Sequence, residues 1–425
     1  MALAVAAANS WKLQSIDLVQ SYLQGRDMDQ RIFLKPPREF SSPRTLWRLI
    51  KPVYGLRSSG RNLFKKLTDI FIAAGHEKVS GDPCWFVYRD ANGRSVGFSI
   101  MHVDDILNLG SESYLAWVVD NLSSTMEIRD VNRDTFEFCG LKITSGENGF
   151  VVDQENYSKD LQLTELPAMG PNKSKTELTE DGLRSLREIT GRINWLGQTR
   201  ADIASAVVHL STHFRQGTIG ELKFANKTVA HIKNNPVQLN FPKMKKPFKL
   251  IAMGDAAFNN LDTRKGPHTG SSGGFVVMLV GEGQVVIPIM WSSNRINRVV
   301  TSSMAAESLV AGTAADAGYA AQQSLCSATG LAPNVFPLEV FTDNNDTYQA
   351  LNLSKGISDR RLRVEVAKLA DDIERERYTL SYSPAAGTLA DRMSKVNSDP
   401  GPLNVMFNNS TVSHLDFSGS KSAHK

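Results

Sequence analysis

The sequence predicts an α+β domain on a mostly antiparallel sheet, then a helical connector, then a mixed α/β domain. Three observations carry this. Short β-type runs alternate with helical stretches from Trp11 to about Glu165, the apolar period turns purely helical from about Leu183, and strand patterning restarts at Phe248. The expected divisions are residues 1–165, 166–245 and 246–400, followed by a tail over 401–425.

The opening run, Met1-Ala-Leu-Ala-Val-Ala-Ala-Ala, lacks the basic start of a signal peptide and reads as the first turns of a core helix. Strands are expected at Leu13–Asp17, Arg31–Lys35, Val96–Val103, Ile106–Leu109 and Thr135–Thr144. Helices are expected at Ser59–Ala74 and at Glu112–Met126, where Leu115, Val118, Val119 and Leu122 share a face. In the connector, Leu183, Leu186, Ile189, Ile193 and Leu196 make one helical stripe, and Ile203, Val207 and Leu210 another. It ends in a basic stretch in which Glu221 is the single acid between His213 and Leu250, and Pro236, Pro242 and Pro247 mark a boundary near residue 245. Beyond it, strands Phe248–Gly254, Gly274–Val280, Gln284–Trp291, Leu338–Thr342 and Thr379–Ser383 alternate with helices Met304–Ala328, Leu362–Arg377 and a short one from Leu389. Three meander strands followed by alternating helix and strand predict a mixed five-stranded sheet. The tail after Pro402 is rich in Ser, Asn and Gly and is expected to be disordered.

Composition excludes several classes. Charged residues are 22% of the 425, apolar residues 41%, and Gly plus Pro number 48, so wholesale disorder, collagen and coiled coil are out. Lys plus Arg (48) against Asp plus Glu (44) leaves +4, which names no partner. Cys84, Cys139 and Cys326 are odd in number and far apart, so neither a disulfide framework nor a zinc site is written in them, and a reducing compartment fits. No apolar run reaches the ~18–20 residues of a membrane span.

In Met101-His-Val-Asp-Asp-Ile-Leu-Asn-Leu-Gly110 two acids sit between apolar strands, where a hairpin would turn. One reading is a polar β-turn, since Asp is common there. The other is a metal site: no Gly or Asn supplies the turn, and Asp17 ends an earlier strand of the same domain. Acids at neighbouring strand ends repel unless a cation shares them, and carboxylates holding ions ~3.5–4 Å apart are the machinery of phosphoryl transfer. In the second sheet Asp255 ends the first strand, Glu307 lies on the long helix, Asp343 ends the fourth strand and Asp391 opens the last helix. Each alone is usually a cap or a solvated side chain, Asp391 being favoured at a helix start.

These residues lie in segments that resemble copia-type retrotransposon reverse transcriptases. Asp17-Leu-Val-Gln-Ser-Tyr-Leu-Gln-Gly25 with Ile32-Phe-Leu-Lys-Pro-Pro37 resembles the first catalytic block, Lys51-Pro-Val-Tyr-Gly-Leu-Arg57 the K-A-L-Y-G-L-K block, and His102-Val-Asp-Asp105 the Y-V-D-D box. Phe138-Cys-Gly-Leu-Lys-Ile143, Asp153-Gln-Glu-Asn-Tyr-Ser158 and Thr199-Arg-Ala-Asp-Ile203 follow in the family's order as primer grip, thumb and connector. The later blocks resemble ribonuclease H of the same elements: Gly254-Asp-Ala-Ala-Phe258, Gly273-Gly-Phe-Val-Val277, Trp291-Ser-Ser-Asn294, Ser302-Ser-Met-Ala-Ala-Glu-Ser308, Thr342-Asp-Asn-Asn345, Tyr382-Ser-Pro384 and Leu389-Ala-Asp-Arg-Met-Ser-Lys395.

The resemblance implies a reverse transcriptase palm and thumb, a connector and an RNase H-like domain. Asp17 and Asp104 would hold two Mg²⁺ with Asp105 assisting, and Asp255, Glu307, Asp343 and Asp391 would hold two more, with Mn²⁺ as a substitute. Tyr22 would lie under the sugar of an incoming deoxynucleoside triphosphate. Tyr54, Gly55, Arg57, Arg61, Lys65 and Lys66 would line the RNA template and DNA primer, or form a solvated helix face. Lys243, Lys245 and Lys246 would hold an RNA/DNA hybrid, told from DNA by its 2′-hydroxyls, or form a solvated linker. His268 would assist product release or simply be exposed.

Departures are His102 for Tyr, Gly60 for Pro after the Y-G-L block and Ala201 for Pro in T-R-P-D-I. Only 16 residues precede Asp17, where the family has a fingers segment, so the expectation is an N-terminally truncated part of a Pol polyprotein with weak or absent primer extension. Protease, integrase and capsid segments are absent too, and other Pol segments would be partners. The expected location is cytoplasmic, in a virus-like particle, with the nucleus as a second compartment and no secretion or membrane. The alternative is an inactive or repurposed remnant that binds nucleic acid without polymerising.

Overall fold

The computed structural model describes residues 1–40, 45–166, 174–261, 270–353, 359–384, 386–411 and 421–422. Its chain divides into two compact units: Ala2–Glu147 with Ser324–Leu331, and Asn148–Gln323 with Ala332–Lys425 and Met1.

The N-terminal unit is built on a six-stranded sheet in the order Glu77–Lys78, Trp85–Arg89, Ser95–His102, Asp105–Gly110, Lys12–Leu18 and Ile128–Arg133. Every neighbouring pair is antiparallel. Helix Ser59–Ala73 places Leu63, Leu67, Ile70 and Phe71 on one stripe, and helix Glu112–Ser123 places Leu115, Val118 and Leu122 on another. Both stripes join Ile16, Leu18, Phe86, Met101 and Ile106 in one core. Ser111 caps the second helix by accepting the Tyr114 N–H at 3.2 Å. The opening run is helix Ala2–Ala8, with Ala4, Val5, Ala6 and Ala7 buried, as expected.

Two strand expectations change. Thr135–Thr144 is not one strand but a hairpin, Thr135–Phe138 against Leu141–Gly146. Its turn residues Cys139 and Gly140 both take positive φ (54° and 73°), the geometry that reverses a two-residue hairpin. Of Arg31–Lys35 only Phe33–Leu34 is strand, paired with Trp47–Arg48.

In the larger unit, helices Glu180–Trp195, Ala204–Thr212 and Ile219–Asn234 bury Leu186, Ile189, Ile193, Leu210, Leu222, Val229 and Ile232 together. Both connector stripes are therefore core-facing. No unit boundary separates these helices from the sheet that follows. That sheet runs Val286–Arg295, Gly270–Val280, Lys249–Leu261, Leu338–Thr342, Thr379–Tyr382, with Lys421–Ser422 added at the edge. The first three strands are antiparallel and the next two join in parallel, so the expected mixed sheet gains a sixth, two-residue member. Helix Ser303–Thr329 approaches it closely: a Cβ on Gly273 would come within 2.3 Å of Val310.

The expectation of disorder beyond Pro402 is corrected for 401–411. Residues Gly401–Asn409 form a helix with proline in its first turn, and Leu403, Met406 and Phe407 are buried at i, i+3 and i+4. Phe407 meets Trp291 edge-on at 5.1 Å. Polar composition hid a three-residue apolar stripe. His268 lies outside the described residues.

Candidate functional site

Asp17 stands one residue from the end of Lys12–Leu18, directly across from Asp105, the first residue of its neighbouring strand. His102 pairs with Asp105, leaving Val103 and Asp104 as a two-residue turn. Val103 takes φ 56°, a conformation costly for a β-branched side chain. Strand pairing thus collects all three acids at the ends of neighbouring strands, as the sequence suggested, and two of them meet a local partner. Arg129 donates to Asp17 at 2.9 Å and Ser21 to Asp104 at 3.2 Å. Burial, then the charges of Asp104 and Asp17, push the Asp105 carboxyl above its ordinary range.

Around these strand ends, Tyr22 packs on Tyr54 with ring centres 4.7 Å apart, and Gly55 takes φ 93°, which only glycine adopts readily. Lys51 ties the block to the first one by donating to the Gly25 carbonyl at 2.9 Å and pairing with Asp27 at 2.8 Å. Arg57 and Arg61 are exposed; Lys65 and Lys66 are half-buried. Sequence reasoning missed three exposed rings of the same unit, Phe33, Phe40 and Trp47. Phe33 pairs across strands with Arg48, and an exposed aromatic next to a guanidinium is the kind of surface on which bases stack.

The larger unit gathers acids more tightly. Asp255 lies on the central strand and is buried, Glu307 reaches in from the long helix and accepts the Ala256 N–H at 3.2 Å, and Asp343 follows the parallel strand Leu338–Thr342. One ligand atom from each of these three lies within 4.8 Å of the others. An all-oxygen set of that kind suits a hard divalent cation. Burial, then the neighbouring Asp255 and Asp343, push Glu307 up to about 9. Burial raises Asp255 to about 6 against the opposing Ser394 hydrogen bond, and burial raises Asp343 too.

Asp391 stands apart from that trio. Lys395, one helical turn on, reaches its carboxylate at 2.5 Å and Asp255 at 3.1 Å, so an ammonium lies between the two acids. Ser394 donates to the other Asp255 oxygen. Both residues sit in the Leu389–Lys395 motif, yet sequence reasoning gave them no role.

It also missed what positions this motif. Arg200 and Asp202 of Thr199-Arg-Ala-Asp-Ile203 form a buried two-bonded pair at 2.8 Å, and His231 adds a contact to Asp202 at 2.9 Å. Burial alone would raise Asp202, but hydrogen bonds from Arg200 and His231 hold it well below the carboxylate range. The Asp202 carbonyl in turn accepts Arg392 Nε at 2.7 Å, anchoring the helix that carries Asp391. Lys243, Lys245 and Lys246 are exposed.

Residues 1–173 match the family described as reverse transcriptase (RNA-dependent DNA polymerase). The Retrovirus-related Pol polyprotein from transposon RE2 of Arabidopsis thaliana is 28% identical over 319 residues, 72% of this chain and 21% of that protein. That from transposon RE1 of the same plant is 28% identical over 321 residues, again 72% and 21%. The Transposon Ty1-BL Gag-Pol polyprotein of Saccharomyces cerevisiae is 22% identical over 294 residues, 61% of this chain and 16% of that protein. The chain spans about a fifth of the Arabidopsis relatives it matches. Among solved structures, RNase H1 from Halobacterium salinarum aligns with 34% of this chain and 94% of that one, at 18% identity and TM-score 0.23.

Proposed function

We propose that this chain, which carries a reverse transcriptase domain and is related to copia-type retrotransposon Pol polyproteins, cleaves the RNA of RNA/DNA hybrids at Asp255, Glu307, Asp343 and Asp391. Its N-terminal unit holds template and primer and extends the primer from deoxynucleoside triphosphates at Asp17, Asp104 and Asp105. The observation that carries the first activity is the convergence of Asp255, Glu307 and Asp343 on one space, in a sheet of three antiparallel and two parallel strands as an RNase H-like domain requires.

Asp255, Glu307, Asp343 and Asp391 would hold Mg²⁺ or Mn²⁺. Such ions, when bound, activate a water and stabilise the leaving 3′-oxygen. The protein's own part is to hold the acids rigid: Glu307 through the Ala256 amide, Asp255 through Ser394, and the last helix through Arg392 and Asp202. Lys243, Lys245 and Lys246, exposed before the sheet, suit the phosphates of a bound duplex. A second reading, a chain that binds nucleic acid without polymerising, is favoured by the Arg129 contact that already occupies one oxygen of Asp17.

Among the described residues no helix is long and apolar enough to cross a membrane. Work within a cytoplasmic particle, beside other Pol segments and with passage to the nucleus, goes with the proposed activity.

The test is incubation of the full chain with a labelled RNA/DNA hybrid and Mg²⁺. Asp343→Asn is expected to lower the rate ~10²–10³-fold, the scale of losing one preorganised electrostatic partner. Cleavage untouched by that substitution, or none with the unaltered chain, would overturn the assignment. Primer extension with an Asp104→Asn control separates the two readings of the N-terminal unit.

A further inference from the structure

We propose that His209, His213 and Glu221 form a second metal site, of the zinc type, that clips together two helices of the larger unit. His209 and His213 are one turn apart at the end of helix Ala204–Thr212, and Glu221 lies in the first turn of helix Ile219–Asn234. One ligand atom from each lies within 4.8 Å of the others. The two rings are 4.8 Å apart between centres.

Hydrogen bonding orients the donors. His213 Nδ1 lies 2.9 Å from the His209 carbonyl, an acceptor only, so that nitrogen carries the ring hydrogen. Its Nε2 faces Glu221 Oε1 at 3.9 Å, an ion pair when the ring is protonated and a pair of metal donors when it is neutral. The other carboxylate oxygen, Oε2, is engaged by the Thr218 amide and hydroxyl in a capping box. With the ring neutral, two electron-pair donors confront each other in a largely buried space at a distance too long for a hydrogen bond. Two ligands each ~2.0–2.1 Å from one zinc ion stand at most ~4.2 Å apart, so a small contraction would close the site. A ring N–H given to a backbone carbonyl is also how metal-bound histidines are held.

The donor chemistry separates this site from the first. Two imidazoles and one carboxylate are a zinc set, whereas Asp255, Glu307 and Asp343 offer oxygen alone and suit Mg²⁺. The proposal does not rest on the assigned nuclease chemistry.

The test is competition between the chelator-treated full chain and a chromophoric zinc chelator, in excess Mg²⁺ to fill the oxygen-only cluster. One equivalent of Zn²⁺ is expected to bind and to raise the melting temperature, and Co²⁺ in its place is expected to give visible absorption of nitrogen and oxygen coordination. Glu221→Gln keeps an acceptor for the capping box and His209→Gln removes one imidazole. Each should weaken binding about 100-fold, the upper end of what losing even a supporting contact costs, with the metal-free melting temperature retained. No zinc binding, or binding lost in Asp343→Asn and not in these variants, would overturn the proposal.

Discussion

Asp17, Asp104 and Asp105 gather at the ends of two neighbouring strands of the N-terminal sheet, the first two with partners close by, whereas Asp255, Glu307 and Asp343 share one buried space in the larger unit. In the first, Arg129 and Ser21 partner two of the three acids, while burial and the charges of Asp104 and Asp17 raise the third, Asp105. In the second, desolvation and mutual repulsion push the carboxyls up, to about 9 for Glu307. The same contrast runs through the rest of each unit: the larger one buries an ion pair, Arg200 with Asp202, while the N-terminal one buries a histidine, His76, that burial keeps neutral.

The largest expected effect tests the buried pair. Asp202→Ala leaves the Arg200 guanidinium buried and unpaired, which should cost the larger unit about 3–5 kcal/mol in urea unfolding. The double change Arg200→Met, Asp202→Leu should recover most of that. A single-variant loss as small as that of a surface pair would erase the contrast.

Next comes His76, 3% exposed, with Nε2 at 2.9 Å from the Tyr114 hydroxyl and Nδ1 at 3.2 Å from the Phe71 carbonyl. Burial lowers it from 6.5 to about 4. The unfolded chain thus binds more protons than the folded one between those values, and stability falls as pH drops from about 6.5 through about 4. At ~1.4 kcal/mol per unit the loss is about 3 kcal/mol. His76→Phe should flatten that slope in a pH series of melts, and an unchanged slope would assign the acid sensitivity elsewhere.

The smallest effect sharpens the picture of the N-terminal cluster. Val103→Gly relieves the positive φ of the Asp104 turn and should stabilise that unit by about 0.5–1 kcal/mol. A measured loss would mean that the valine side chain supplies packing that outweighs the backbone cost.

How much of this was legible follows from the kind of signal each element carries. The stripes of Ser59–Ala73 and Glu180–Trp195 were readable because one face is buried along their length. Strand Ile128–Arg133 was missed because its side chains are mostly exposed and carry no apolar alternation. Trp85–Arg89 was missed although its aromatic and β-branched run is a strand signal. Cys139-Gly140 did not read as a turn, since only one of its two positive-φ residues is glycine. Helix Asn345–Leu353 and the ordered 401–409 segment were hidden by polar composition.

Composition and pattern alone name the residues chemically able to act: the acids at strand ends, the basic runs near them and the order of motifs that resembles a copia-type Pol polyprotein. Those are properties of residue type and local period, which survive without coordinates. Which of them meet depends on how the chain packs. Packing drew Asp255, Glu307 and Asp343 together, set Lys395 between Asp255 and Asp391, and turned Arg200 and Asp202 from a motif into the anchor of the last helix. The reason is physical: charge–charge distance and desolvation are set by sheet order and helix docking, and neither is a function of spacing along the chain.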